Sequence, residues 1–430
     1  MTDFTRRETL ALVGAVAGAG CSSLPGSDDD ESTTLDGAAL AALADDAPPT
    51  VPERVPVDIA PAHLDATAAR ARSLLDAVPA NLSADQIPNG AIRERVRDAR
   101  QHAVGEVTRA ANTSADYERL SAFADARTDA RFAAGAWRAI DAGLTRADLQ
   151  EEATSVREDR RALRERHEYL GDDPVAALLV HAAIEERLDM NIGTNGPTRY
   201  REGNPLGVGE LAEDVERARA AVDDAAHLYD QHVEPLGDPP TLRPRYRAAR
   251  ETLQADFESE RESLPAVDPE RPWEVGDVDV SETPAGEALD DLYRPVDPGY
   301  ERAWSGDPLA RSLVWGHRAF VSLRAFESLR ARVADGERFA IESLEDVAAI
   351  RSEAVDALRA ANDDPAAPML TRSVLSILST QLANADARLA TEEGEVSARS
   401  IRYPVSAYLV AMARARAAPA VSERVASTLG

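Results

Sequence analysis

The sequence predicts an all-α protein, an antiparallel array of helices arranged as a bundle or a short α-solenoid. Three observations favour this fold class. From Asp58 onward apolar residues recur at three- and four-residue spacing, as in AIRERVRDARQHAVGEVTRAAN at residues 91–112. Strand-like alternation is scarce, and its best instance, WEVGDVDV at residues 273–280, is either one short strand or a loop. Alanine-rich stretches such as AAGA at residues 133–136 allow neighbouring helices to approach closely.

Capping and proline signals divide this periodic region into twelve predicted helices. Thr145 with Asp148, and Ser343 with Asp346, have the spacing of reciprocal N-terminal caps, and Pro174 stands at a first-turn position. The predicted helices span residues 59–78, 90–112, 115–142, 146–170, 174–192, 208–233, 241–263, 284–292, 307–334, 343–361, 366–390 and 397–427.

The length of 430 residues admits two helical halves. We predict a helical domain over residues 57–263 and a second helical half over 284–430, joined by a loop or linker at 264–283 that contains three prolines. A weak repeat favours the same division, because the Asp-Asp-Pro sequences at 172–174 and 363–365 each follow a charged helix and precede an apolar one. Since Asp-Pro is also a common way to begin a helix, chance recurrence is the alternative to a duplication.

The N-terminal residues indicate export rather than a membrane-spanning helix. Arg6 and Arg7 precede an apolar run from Leu10 to Gly20. As a helix this run would be about 16 Å long, roughly half the thickness of a bilayer core. A charged start, a short apolar run and small residues before a boundary are typical of a secretory signal. Residues 22–56, acidic and rich in Pro and Ser, are predicted to form a solvated tether.

Two motifs in this region resemble known sorting signals. TRRETL at residues 5–10 resembles a twin-arginine translocation signal, and GAGC at residues 18–21 resembles a lipobox. Together, residues 1–21 resemble the signals of haloarchaeal surface lipoproteins. The resemblance implies that Cys21, the only cysteine, is lipid-modified, becomes the mature N-terminus and anchors the protein to the outer face of the cell membrane. An uncleaved N-terminal anchor is the alternative.

The charge composition indicates adaptation to molar salt. The chain has 76 acidic residues against 48 basic ones, a net charge of −28, and all of the basic residues are arginine. At molar salt the Debye length is about 3 Å, so the repulsion within so acidic a chain is largely screened. Arginine also retains ion pairing with little flexible apolar stem exposed. The acidity is therefore interpreted as an adaptation to the solvent.

The same composition excludes several classes of function. An acidic body without basic stripes is a poor nucleic-acid binder, because phosphate neutralisation supplies most of that affinity. Without lysine there is no Walker A lysine, no Schiff-base lysine and no Ser-Lys dyad. Kinases, P-loop ATPases and pyridoxal enzymes are therefore excluded. We predict no cofactor and name no catalytic residue.

One pair of residues has the spacing of metal ligands. His181 and Glu185 stand four residues apart in LLVHAAIEERLD, so they share one face of a predicted helix. The alternative is that the two side chains pair with each other, or with Arg187, at the edge of the bundle. No third ligand is visible in the sequence.

One loop concentrates aromatic and arginine side chains. LYRPVDPGYERAWSGDP, at residues 292–308, belongs to a chain in which aromatics make up only 5% of the residues. Aromatic and arginine side chains on a shaped loop are typical of recognition sites. The candidate binding residues are Tyr293, Arg294, Tyr300, Arg302 and Trp304. The alternative is that the aromatics attach the loop to the helices.

Three functions are compatible with these observations. The first is a membrane-anchored, non-enzymatic module that binds or scaffolds an envelope protein. The second is a lipoprotein that binds a small solute or a metal ion. The third is a hydrolase whose acids and histidines converge only in three dimensions.

The lipid anchor is testable through its single attachment atom. Cys21→Ser removes the thiol to which the lipid would be joined, so we expect the exported protein to move from the membrane fraction to the soluble fraction. Cell fractionation followed by immunoblotting measures this change, and Ser23→Ala is the matched control. A Cys21→Ser protein that stays with the membrane would favour the uncleaved anchor.

Overall fold

The computed structural model describes residues 33–189, 203–265, 267–297, 304, 308–363 and 365–430. Within them the chain forms thirteen α-helices and four very short strands, which confirms the all-α fold class. The helices are α1 (Gly37–Leu43), α2 (Pro61–Asp76), α3 (Gly90–Asn112), α4 (Asp116–Asp141), α5 (Gln150–Arg166), α6 (Pro174–Leu188), α7 (Pro205–Val233), α8 (Arg243–Ser263), α9 (Pro284–Tyr293), α10 (Leu309–Ala334), α11 (Leu344–Asp363), α12 (Pro368–Leu389) and α13 (Arg402–Leu429).

The strands form two small antiparallel pairs. β1 (Thr34–Asp36) pairs with β4 (Glu395–Ser397), which places Leu35 opposite Val396. β2 (Glu274–Val275) and β3 (Val278–Asp279) form a tight hairpin within the stretch 273–280. Each of the twelve predicted helices corresponds to one of α2–α13, whereas α1 was not predicted.

Helix α6 is buried on nearly all sides and lies between two groups of helices. On one side Leu178 and Ala182 belong to the core formed with α8–α13. On the other side Val180 and Ile184 belong to a core that includes residues of α2, α4 and α7. A helix that is apolar all round is stable in water only when other elements cover every face. The position of α6 therefore joins the two groups into one folded body.

Small residues bring α4 and α7 into close contact, as the alanine-rich sequence predicted. A Cβ atom added to Gly135 would lie 2.6 Å from the Cβ of Ala212. One added to Gly209 would lie 3.0 Å from the carbonyl oxygen of Phe132. Because both distances are below ordinary contact, glycine is what permits this approach of the two helices.

A buried carboxylate ties helices together in each group. Glu216 on α7 is fully buried and accepts hydrogen bonds from Arg70 on α2, at 2.7 and 3.1 Å, and from Nε of Arg127 on α4, at 2.9 Å. Asp386 on α12 accepts two hydrogen bonds from Arg351 on α11, at 2.8 and 2.9 Å. Removal of either partner would leave a buried charge unpaired, so these pairs specify how the helices align.

The tether predicted for residues 22–56 is wrong from Thr33 onward. Leu40 is fully buried and Val51 is 5% exposed in the core with α8–α13. The backbone N–H of Val51 donates to Oγ of Ser379 on α12 at 3.2 Å. This segment therefore packs on the folded body instead of holding it away from a membrane.

This segment packs on the body because the burial of a few apolar side chains stabilises it, even though most residues around them are polar. Leu35, Leu40 and Val51 are separated by solvated acidic, proline and alanine residues, so no helical or strand period is long enough to mark them. Residues 22–32 of the predicted tether lie outside the described residues.

The predicted linker at residues 264–283 is also part of the core. Val275 and Val280 of its hairpin region are 7% and 1% exposed. A Cβ atom added to Gly286 at the start of α9 would lie 2.4 Å from the carbonyl oxygen of Val280. A proline-rich segment can pack as tightly as a helix when a glycine in its neighbour leaves room.

Among the helices described, none combines the length and apolarity that crossing a bilayer requires. Apolar side chains of these helices form the cores between them.

Leu40 distinguishes a packed N-terminal segment from a tether. Leu40→Ala would leave a cavity beneath α1, so we expect the free energy of unfolding to fall by about 2–5 kcal/mol. Denaturant unfolding in molar salt, followed by circular dichroism, measures this loss. Ala42→Ser, at an exposed position of the same helix, is the control. If Leu40→Ala leaves the free energy of unfolding unchanged, the prediction of a tether would be favoured again.

Candidate functional site

Two histidines share one backbone carbonyl ahead of α6, and a third histidine contacts one of them. Nε2 of His181 lies 2.9 Å from the carbonyl oxygen of Leu170, and Nε2 of His232 lies 2.8 Å from the same oxygen. Since a carbonyl only accepts, both nitrogens carry the proton. Nδ1 of His181 lies 3.0 Å from Nε2 of His167. A neutral His181 therefore accepts there, and His167 donates.

Burial keeps this chain of imidazoles neutral. It lowers the pKa of His181 to about 3 and the pKa of His167 to about 4, because water no longer solvates the charged forms. The positive charge of Arg243 lowers the pKa of His167 further. A neutral His181 is the form that the hydrogen bond from His167 requires, because its Nδ1 must accept.

Glu185 caps the start of another helix, α10. Its carboxylate accepts the backbone N–H of Arg311 at 2.7 Å and the hydroxyl of Tyr169. The Tyr169 oxygen in turn accepts the N–H of Leu309 at 3.2 Å. Burial raises the pKa of Glu185 to about 7, against the opposing effect of these hydrogen bonds. Because α10 has no capping side chain of its own, Glu185 supplies the acceptor at its N-terminus.

The structure gives the predicted metal pair a different role. Both ring nitrogens of His181 and both carboxylate oxygens of Glu185 are held by protein groups. No group of three or more histidine, cysteine, aspartate or glutamate side chains in the described part of the chain has the arrangement of a metal site. The predicted alternative partner Arg187 instead donates to the Tyr117 hydroxyl at 2.7 Å.

A second histidine cluster lies between α2 and α7. The rings of His63 and His227 are stacked, with centroids 4.1 Å apart. Nε2 of His63 lies 2.8 Å from Asp224, and Nε2 of His227 accepts the N–H of Ala60 at 3.1 Å. Burial lowers the pKa of His227. These groups fasten the chain entering α2 to the side of α7.

Two aromatic side chains of the predicted binding loop belong to the core. Tyr293 and Trp304, 7% and 8% exposed, belong to the core with α8–α13. A Cβ atom added to Gly316 would lie only 2.3 Å from the Trp304 ring. The exposed Arg294 forms an ion pair with Asp290 at 3.1 Å. The alternative interpretation, aromatics that attach the loop, therefore describes Tyr293 and Trp304.

Five other predicted residues lie outside the described residues. They are Tyr300 and Arg302 of the loop, and Arg6, Arg7 and Cys21 of the signal.

A groove of about 1140 Å³ is lined by Asp172 and Asp173 of the first Asp-Asp-Pro sequence and by residues near the start of α12. Residues 50–58 form one wall, and Asp172, His232 and Arg372 contribute polar groups from the starts and ends of helices. The lining combines both signs of charge with apolar side chains. His232 connects this groove to the buried imidazoles, but its Nε2 already donates to Leu170.

A smaller cavity of about 360 Å³ lies between α10, α12 and α13, and we call it the Trp315 cavity. Trp315 and Ile377, 37% and 42% exposed, stand at its edge. In the described residues, the other large apolar side chains this exposed are Val104 and Tyr403. The lining is completed by Pro295, Arg318, Ala319, Val321, Ser322, Val374, Leu378 and Arg414.

Sequence reasoning missed the Trp315 cavity, although α10 carries a signal for it. Arg311, Trp315, Arg318 and Ser322 follow one another at spacings of four, three and four residues, which places them on one helix face. A tryptophan on an otherwise polar face is a common feature of binding surfaces. Its partners from α12 and α13 could not be inferred, because they are distant in sequence.

Two family models match the chain. Residues 62–238 match a domain of unknown function (DUF8262), and residues 243–427 match a second domain of unknown function (DUF8264). The models meet between α7 and α8, so the chain has two helical halves, divided earlier than the predicted 264–283. No curated protein and no solved structure matches this chain.

The neutral histidine chain makes stability depend on pH. Below pH about 6.5 the unfolded chain binds a proton at His181, while the folded protein does not until about pH 3. Stability is therefore lost as the pH falls through this window, by about 1.4 kcal/mol per unit from this residue. The His181→Gln protein has no imidazole at this position and does not lose this stability at low pH. The difference between its free energy of unfolding and that of the wild type should therefore shrink as the pH falls.

Denaturant unfolding at pH about 7.5 and about 4.5, within the window set by this shift, measures the change. His102→Gln alters an exposed histidine on α3 and is the matched control for the substitution. A difference between His181→Gln and the wild type that is the same at both pH values would contradict a neutral, buried His181.

Proposed function

We propose that this chain is an exported, non-enzymatic binding protein, held at the outer face of the membrane through Cys21, that takes a small ligand with an apolar part into the Trp315 cavity. The observation that carries the proposal is the pair of large apolar side chains, Trp315 and Ile377, left exposed at the edge of a cavity. In a chain this acidic, exposed apolar surface costs free energy that a ligand would recover.

The size of the cavity supports a small ligand. At about 360 Å³ it falls in the range of about 300–1,000 Å³ that small-molecule sites occupy. Its lining is apolar with a few polar groups, as in most such sites. The resemblance of residues 1–21 to lipoprotein signals supports the proposed location of binding, at the outer face of the membrane.

The reactive side chains support binding over catalysis. The titratable side chains that cluster at α6 are buried: His181, Tyr169 and Glu185 are 0%, 2% and 6% exposed. Their polar atoms hold one another and the start of α10, and a substrate needs a reactive group that it can reach. A hydrolase with a dispersed site would have to use other residues.

An envelope protein partner, the first function inferred from the sequence, would use the same surface. Trp315 could act as a buried anchor for such a partner, since tryptophan is enriched among residues that dominate binding energy. A small ligand can fill a cavity of 360 Å³ by itself, so we assign the cavity to such a ligand. A protein partner is treated as an outcome of the test.

The test is to identify what the protein carries. Wild-type protein would be purified from native membranes in molar salt and extracted with solvent, and the extract and the copurifying proteins would be analysed by mass spectrometry. We expect a stoichiometric small molecule. Ile377→Ser should reduce its amount about tenfold, because one large apolar contact contributes roughly 1.5 kcal/mol or more.

Val104→Ser is the matched control, since Val104 on α3 is also 42% exposed but does not line the Trp315 cavity. Its ligand content should equal that of the wild type. Loss of a protein rather than a small molecule from Ile377→Ser would replace the proposal with the scaffold function. Identical extracts from all three proteins would overturn any role for the cavity.

A further inference from the structure

We infer that the ligand of the Trp315 cavity is an anionic amphiphile, a carboxylate with a short hydrocarbon chain, whose head group binds Arg318. This inference rests on the proposed function and specifies the chemistry of the same site. It follows from the arginines that an otherwise apolar cavity contains.

Arg318, a half-buried arginine, has a buried donor without a partner. It lines the cavity, and its Nε is buried without a hydrogen-bond partner in the described residues. No ion pair to Arg318 is found in that part of the chain either. Burial lowers the pKa of Arg318, and the negative charges of Glu186 and Glu53 oppose this effect from a distance. A buried donor without a hydrogen-bond partner is costly, and an anionic ligand would supply both an acceptor and a compensating charge.

The other cationic group, Arg414, already has protein partners. Its Nε donates to Oγ of Ser322 at 3.2 Å, and its guanidinium lies 3.9 Å from the carboxylate of Asp291. Arg414 is thereby held in place beside the cavity. Arg318 is the group with an unused donor, so it is the one that a ligand would satisfy.

The rest of the cavity suits a hydrocarbon chain. Its walls include Val374, Leu378 and Val321, with Trp315 and Ile377 at the edge. At about 30 Å³ for each water, 360 Å³ corresponds to roughly a dozen small non-hydrogen groups. A carboxylate with an eight-carbon chain is of this size. Contact between Arg318 and a carboxylate also persists in molar salt, because screening acts over distances of about 3 Å and longer.

Three probes of the same length separate the charge of the ligand from its apolar part. Octanoate, octanamide and octylammonium would be titrated into the delipidated protein in molar salt, with isothermal titration calorimetry as the measurement. We expect octanoate to bind at least about tenfold more tightly than octanamide, because only the carboxylate forms a charge-assisted bond with Arg318. Octylammonium should bind most weakly.

Arg318→Gln should abolish the preference for octanoate while octanamide binding is retained. Arg324→Gln is the matched control, since Arg324 is on the same helix but pairs with Glu327 and Glu260 outside the cavity. It should keep the wild-type preference. Thermal unfolding of both variants shows that they are folded.

The outcomes separate this inference from the function on which it rests. Equal binding of octanoate and octanamide, lost in Ile377→Ser, would overturn the inference and leave a small-ligand cavity in place. A preference for octanoate that survives in Arg318→Gln would also overturn it. If none of the three probes binds, both the inference and its assignment of the cavity to an alkyl ligand fail, and the extraction experiment alone decides the proposed function.

Discussion

The structure depends on the burial of α6 on both of its long faces. Apolar residues lie on every side of its sequence, PVAALLVHAAIEERL, and of residues 177–188 only Glu186 is exposed, so helices from both halves cover it. This single requirement explains why residues 33–430 form one compact unit although two family models divide them. It also explains why α10, far along the sequence, lies against α6.

Polar residues on such a helix must find partners inside the protein. His181 does so through Leu170 and His167, and Glu185 through Tyr169 and the first N–H groups of α10. The bonds to residues 167–170 hold α6 to the segment that precedes it, and the bond from Arg311 joins α6 to α10 in the other half, so polar atoms that would be costly to bury help to position the helix. A spacing that is typical of metal ligands is here a device for helix docking.

The polar groups of this closed cluster and those of the Trp315 cavity differ in how they are partnered. In the cluster, donors and acceptors match and the rings stay neutral. In the cavity, Arg318 has an unused donor beside exposed apolar side chains. Satisfied buried groups stabilise a fold, whereas an unsatisfied one in a cavity indicates a place that a ligand would complete.

The sequence by itself determined the helices and the class of the fold, because periodicity and caps are local. The observed α3 has the predicted bounds, and Ser343 caps α11 as its spacing indicated. Thr145 and Asp148 do bond to each other, but they form a turn ahead of α5, which begins only at Gln150 and has no side-chain cap. The sequence could not show that Leu40 and Val51 pack on α12 or that residues 264–283 contribute to a core. Nor could it show that both ring nitrogens of His181 already have hydrogen-bond partners. Those features depend on which distant residues meet. The tertiary structure alone decided them, because burial of isolated apolar side chains and pairing of buried polar atoms are set by neighbours that leave no period in the sequence.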